Sequence, residues 1–168
     1  TSEVHKGPFA FRVLKDSKLV KSKSFEDGAT IDFYKSGKIR ENIIVSPLSK
    51  YDDVKKQNVL YNYLVGFIGS HNLSQGKPAQ YATVWNDTLP GAYFEIKGDK
   101  YSLFVMTVYD DTHRYTYYMS KPHDVHVSNY KLRDIVQYVT YKNTKDGYKK
   151  MKLGLGMPSR AFSNNRVH

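Results

Sequence analysis

Residues 101–109 read YSLFVMTVY, a run without glycine, proline or charge. Tyr101, Leu103, Val105 and Tyr109 fall on one alternating face, and Phe104, Met106 and Val108 on the other. A strand that is apolar on both faces needs cover on both, so the pattern predicts a central strand. Asp110-Asp111 ends it, because two like charges are costly to bury. Residues 59–69, VLYNYLVGFIG, have the same character and are expected to lie beside it, the two forming the middle of one sheet.

The rest of the chain is read around that centre. Phe9, Phe11 and Val13 alternate with more polar neighbours after Pro8, which predicts a half-exposed first strand. Lys15, Lys18, Lys21 and Lys23 follow at near-regular spacing, along an exposed strand edge or in a mobile loop. Edge lysines also block unwanted strand pairing, which is their plainest explanation. Residues 29–34 and 38–45 read as a hairpin around Ser36-Gly37. Ser46-Pro47 predicts a helix start running to Gln57, with only a thin apolar stripe at Leu48, Tyr51 and Val54. Residues 70–80 read as a polar loop, 81–85 as a short strand and 86–92 as a turn. Residues 93–97 form a hairpin with 101–111 through Gly98-Asp99, and 114–119 continue the sheet or cross to another layer. A second helix is capped by Ser128, carries Leu132, Ile135, Val136 and Val139 on one face, and has Val127 placed as a staple. Thr140-Tyr141, the turn at Lys145-Asp146-Gly147 and residues 148–155 make a terminal hairpin.

Together these elements predict an α+β fold: an antiparallel β-sheet packed by two helices, with a small additional hairpin or sheet. Residues 1–158 are expected to form one globular domain, and 159–168 a mobile Ser/Asn/Arg tail.

Charge changes the picture from fold to partner. The 168 residues hold 26 Lys+Arg against 16 Asp+Glu, a net charge of +10. Residues 1–50 carry ten basic and six acidic groups, 51–110 five and six, and 111–168 eleven and four. The middle is neutral and both ends are basic, a separation that suits an anionic partner, either nucleic acid or an acidic membrane surface. The bland alternative is a solvated surface that keeps the protein soluble. Fifteen tyrosines and eight phenylalanines are first of all good sheet material, and second a platform for stacking bases. No cysteine is present, which excludes thiol chemistry and disulfides and points to a reducing compartment. No run of about 18 apolar residues predicts a membrane span. The chain opens on Thr1 rather than Met, as expected after removal of a native N-terminal segment, and no signal peptide is visible.

Catalytic signals are missing from the sequence. It has no P-loop, no dinucleotide-binding glycine pattern, no HExxH and no nucleophile elbow. His123-x-x-His126 with Asp124 between them has metal-ligand residue types but no third ligand at a useful spacing. Asn72-Leu-Ser74 and Asn86-Asp-Thr88 are glycosylation sequons, read as unused without a secretory signal. Tyr61-Asn-Tyr63-Leu64 fits a YxxL trafficking signal, but a strand apolar on both faces is a poor place for a recruitable peptide. No enzyme and no cofactor is expected.

Two short stretches carry more than a fold signal. Phe67-Ile68-Gly69-Ser70-His71-Asn72-Leu73 resembles the F-L-G-S-S-N-L stretch of vesiculovirus matrix proteins, and Met106-Thr107-Val108-Tyr109-Asp110-Asp111 resembles their M-T-I-Y-D-D, in the same order. Phe9 to Val13 is similar to the aromatic first strand of that core, and Ser128-Asn-Tyr130 to the Ser-Asp-Phe that opens its last helix. The resemblance spans most of the chain, with identity concentrated in the two motifs. It implies a rhabdovirus matrix protein: an antiparallel sheet packed by helices with a smaller second sheet, which condenses helical nucleoprotein–RNA, lies on the inner face of the viral envelope and self-associates. The segment joining the motifs is shorter than in the animal viruses, and residues 1–168 hold no PPxY motif and no lysine-dense arm, features that a trimmed N-terminal segment would have taken with it. A plant-infecting, cytorhabdovirus-like member fits these departures better than an animal one.

The expected mechanism is electrostatic bridging with self-assembly. Lys15, Lys18, Lys21 and Lys23 at one end, and Lys142, Lys145, Lys149, Lys150 and Lys152 at the other, are the candidates to face membrane and nucleoprotein–RNA. Val4, His5 and Lys6 are expected in an N-terminal segment that docks on a neighbour's loop, formed by Ser70, His71, Asn72, Leu73 and Leu89. The expected partners are further copies of the chain in a filament or lattice, nucleoprotein–RNA, an acidic bilayer and the tail of a viral glycoprotein. The expected location is the virion beneath the envelope, and in the host the cytoplasm and the cytoplasmic face of membranes. The competing reading is an RNA- or single-stranded-DNA-binding β-protein, such as a small capsid protein or silencing suppressor. A small barrel holding an apolar ligand is a third, disfavoured by the helix starts expected at Ser46 and Ser128.

Overall fold

Strand β8 (Tyr101–Tyr109) is buried from Ser102 to Tyr109, as an element apolar on both faces must be. It belongs to a computed structural model that describes residues 2–48, 77–85, 90–98, 100–136, 138–143 and 147–152. In chain order the other elements are β1 (Ser2–Lys6), β2 (Phe9–Val13), β3 (Lys18–Ser24), β4 (Thr30–Ser36), β5 (Ile39–Pro47), β6 (Lys77–Trp85), β7 (Pro90–Lys97), β9 (His113–Pro122), helix α1 (Asn129–Val136), β10 (Tyr138–Asn143) and β11 (Gly147–Lys152). All pairings are antiparallel. One sheet has seven strands in the order β3-β4-β5-β9-β8-β7-β6, and the other four in the order β1-β2-β10-β11. The fold is β-rich, and among the described residues one helix rather than two packs against it.

The core lies between the sheets. Phe9, Phe11 and Val13 of β2 and Ile135 of α1 meet Ile39 and Ile43 of β5, Tyr115, Tyr117 and Met119 of β9, and Phe104, Met106 and Val108 of β8. The alternate residues of β5, β9 and β8 therefore form an outer face, pointing away from the small sheet. Ser128 caps α1: its Oγ accepts from the Lys131 N–H at 3.3 Å and its carbonyl from the Leu132 N–H at 3.0 Å. Arg12 Nη1 donates to Asp134 Oδ1 at 2.7 Å and ties the helix to β2. The β1–β2 turn is held by Gly7 at φ 55°, where an added Cβ would overlap the Tyr115 hydroxyl of the other sheet.

Several expectations are corrected. β2 is not half-exposed: Phe9, Ala10, Phe11 and Val13 are all buried, because β1 and β10 flank it and it faces the large sheet. Ser46 and Pro47 do not open a helix. They end β5, paired with Arg114 and His113, and proline at a strand end forfeits no needed donor. The remainder of that expected helix lies outside the described residues. Both edges of β8 are occupied, by β7 and β9, so no further strand pairs with it; residues 59–69 lie outside the described residues. Residues 77–80 belong to β6 rather than a loop and 90–92 to β7 rather than a turn, since hairpin pairing runs from Lys77–Lys97 to Trp85–Pro90 with a bulge between Pro78 and Gln80. Val139 is not on the helix. It pairs with Met151 in β10, where β-branched and aromatic residues find two strand partners, β2 and β11. The hairpins at Ser36-Gly37 and Gly98 and the terminal hairpin form as the pattern predicts.

A candidate anion-binding face

The Lys18–Ser24 strand is an edge strand of the large sheet and exposed along its whole length. Its bulge between Leu19 and Lys21 resets the alternation, so Lys18, Lys21 and Lys23 all share the outer face. Cross-strand register then builds three rows on that face. Lys18 stands opposite Lys35, which stands opposite Arg40. Lys21 is opposite Phe33, which is opposite Asn42, and the row continues to Tyr118. Lys23 is opposite Ile31, followed by Ile44 and Thr116. Neighbouring strands are about 4.8 Å apart and same-face residues about 6.8 Å apart along a strand, so five cations fall within a patch about 10 Å by 14 Å.

Val20, Lys21, Phe33, Tyr34, Lys35, Arg40 and Asn42 enclose a groove of about 330 Å³ on this face. The Lys21 ammonium lies 5.0 Å from the Phe33 ring centroid, an arrangement that holds an exposed lysine in place. The carboxylates of β4 and β5 point the other way. Asp32 accepts from Ser22 Oγ at 2.7 Å and is bridged by Lys6 Nζ at 2.5 Å. Burial opposes its ionisation, but the Lys6 and Ser22 bonds win and hold it below the usual carboxylate range. Glu41 is fully buried, accepts from the Leu14 N–H at 3.1 Å and from the Tyr117 hydroxyl, and is pushed up by burial. Among the described residues none of the five outer-face cations has a carboxylate within ion-pair distance.

The expected site residues separate into groups. Lys15 is exposed in the turn before β3, and Lys18, Lys21 and Lys23 lie on the strand edge predicted for them. Lys142 is in β10 and Lys149, Lys150 and Lys152 in β11, an edge strand of the small sheet; Lys145 lies outside the described residues. Val4, His5 and Lys6 are not in a free arm. They form β1, paired with Phe11, Ala10 and Phe9 of the same chain; Val4 packs on the core and Lys6 bridges to the other sheet. Ser70, His71, Asn72, Leu73 and Leu89 lie outside the described residues. His123 Nε2 sits 3.3 Å from Ser102 Oγ, and no group of three potential metal ligands gathers among the described residues. Among those residues no helix is long and apolar enough to cross a membrane.

Sequence reasoning missed Lys35, Arg40, Phe33 and Asn42. A signal was present: a two-residue turn closed by Ser36 and Ile39 places Lys35 opposite Arg40 by register alone. The addition of Lys18 to that row depends on the bulge, which no local pattern announces. In comparisons with known proteins, no family model, curated protein or solved structure matches the chain.

Proposed function

We propose that this is a non-enzymatic matrix-type assembly protein of a rhabdovirus-like virus. It bridges nucleoprotein–RNA to the inner, acidic face of the envelope and associates with its own copies, with a glycoprotein tail as a further contact. It acts in the host cytoplasm, at the cytoplasmic face of membranes and, in the virion, beneath the envelope. The observation that carries the reading is the placing of the two basic segments: β3 is an edge strand of one sheet and β11 an edge strand of the other. Two lysine-bearing edges on two layers let one small molecule meet two anionic bodies at once. Each lysine near an acidic bilayer contributes on the order of 1 kcal/mol, so either edge suffices for reversible attachment. The matrix-like reading of the antiparallel core and its capped helix belongs to the same proposal. Self-association is proposed through the 70–73 and Leu89 segments, with β1 docking on a neighbour only if it leaves β2.

The test is bridging. Acidic vesicles and nucleoprotein–RNA are mixed with the protein and sedimented across a salt series. Wild type joins the two, and does so poorly with neutral vesicles. Neutralising Lys18, Lys21 and Lys23, or separately Lys149, Lys150 and Lys152, leaves one contact and removes bridging. Bridging by either variant at the wild-type level, or equal sedimentation with neutral vesicles, overturns the reading.

A further inference from the structure

The geometry points to a direct binding groove for single-stranded RNA on the outer face of β3, β4 and β5, tracking the phosphate backbone through Lys18, Lys21, Lys23, Lys35 and Arg40. This rests on the assembly reading only in taking RNA as one of the anionic bodies, and it places the RNA contact on the chain itself rather than through a nucleoprotein.

Three observations carry it. The first is the uncompensated row. Lys18 opposite Lys35 opposite Arg40 sets like charges against each other twice, an arrangement that destabilises a sheet. Asp32 and Glu41, the acids of these strands, serve the other face, so the countercharge for this row has to come from outside the described residues. A polyanion supplies it.

The second is the floor. Between the cations lie Phe33 and Asn42, an aromatic and amide surface in a groove of about 330 Å³, which suits sugar and base contacts without reading base edges. Lys21, held over Phe33, is positioned to meet a phosphate rather than to sweep through solvent.

The third is shape, which favours a strand over a bilayer. The same three rows continue onto β8 as Leu103, Val105 and Thr107, and these are fully buried. On the outer face the β8 positions are therefore buried, whereas the cationic positions of β3, β4 and β5 are exposed. The exposed positions form a strip about 10 Å wide, which suits a single strand laid along it better than the broad contact of a bilayer. Cation-bearing positions about 5 Å apart across strands and about 7 Å apart along them let the side chains reach successive phosphates without base specificity.

The experiment titrates the full chain with a labelled single-stranded RNA of mixed sequence by fluorescence anisotropy at several salt concentrations. Five phosphate contacts predict a slope of log K against log salt of about −3.5. The double variant Lys35→Gln/Arg40→Gln lowers the slope to about −2 and weakens binding on the order of tenfold at moderate salt, while Lys100→Gln in the β7–β8 turn changes neither. Circular dichroism and the thermal midpoint confirm that the variants fold. Unchanged affinity or slope in the double variant, no RNA binding by wild type, or loss of acidic-vesicle binding in place of RNA binding overturns the groove. Wild type that bridges vesicles and nucleoprotein–RNA but does not bind free RNA refutes the groove and leaves the assembly reading standing. RNA binding that follows the predicted slopes without any bridging supports the groove and refutes the assembly reading.

Discussion

Lys35 is the residue on which the cationic face turns, because it has a like charge on each side. Replacing it by glutamate converts Lys18–Lys35–Arg40 from two repulsions into two attractions. Lys35→Glu is expected to raise the unfolding free energy by about 0.5–1 kcal/mol at low ionic strength, with the gain shrinking as salt is added. Urea unfolding at low and high salt measures both. A loss of stability, or a gain indifferent to salt, would show that the three side chains do not face one another. The alternation around Ser36-Gly37 makes this pair legible in the sequence, whereas the lysine spacing of 15–23 marks only one strand of the face. Spacing along one strand reports a face; charge density depends on the neighbouring strands.

The single helix shows how an element is made by its surroundings. Its start is local: Ser128 meets the free N–H groups of the first turn, as the residue type alone suggested. Its end is not. The apolar spacing from Leu132 ran on to Val139, but pairing of β10 with β2 and β11 claims that residue for the sheet. Eight residues make a helix too short to stand alone, so it depends on Ile135 in the core and on the Arg12–Asp134 bridge. Asp134→Asn is expected to cost about 1–2 kcal/mol, since Arg12 is left partly buried without its countercharge. Hydrogen exchange should place the loss first in the amides of α1; uniform exchange changes across both sheets would contradict the bridge as the helix tether.

Across the whole molecule, the acids divide by environment and set the response to pH. Asp32 and Asp110 have depressed pKa values, the first through Lys6 and Ser22, the second through the Thr112 and His113 amides and the Tyr115 hydroxyl, in each case against burial. Their stabilisation is complete above the ordinary aspartate value of 3.8 and is lost as pH falls through their lower folded values. Glu41 is the reverse. Burial raises it, so the folded protein binds its proton more tightly, and stability falls as pH rises from 4.5 through the raised folded value. Measured against Glu41→Gln, wild type should therefore lose relative stability as pH rises above 4.5. A stability difference independent of pH would mean that Glu41 is not desolvated as its burial between Leu14 and Tyr117 requires. Nothing in the sequence marked Glu41 for this, because its burial follows from residues far along the chain: Leu14 and Tyr117 supply its hydrogen bonds.

By itself the sequence determined the strand at 101–109, the hairpins at 36–37 and 98, the pairing of the last two strands, the cap at Ser128 and the basic character of both ends. Each is set within a few residues by alternation, turn chemistry or side-chain charge. Only the tertiary structure decided which strands are neighbours, that residues 2–6 are held in a sheet, and that lysines from two strands and an arginine from a third form one row. Those depend on register between distant segments, and a one-residue shift or bulge exchanges the inside for the outside.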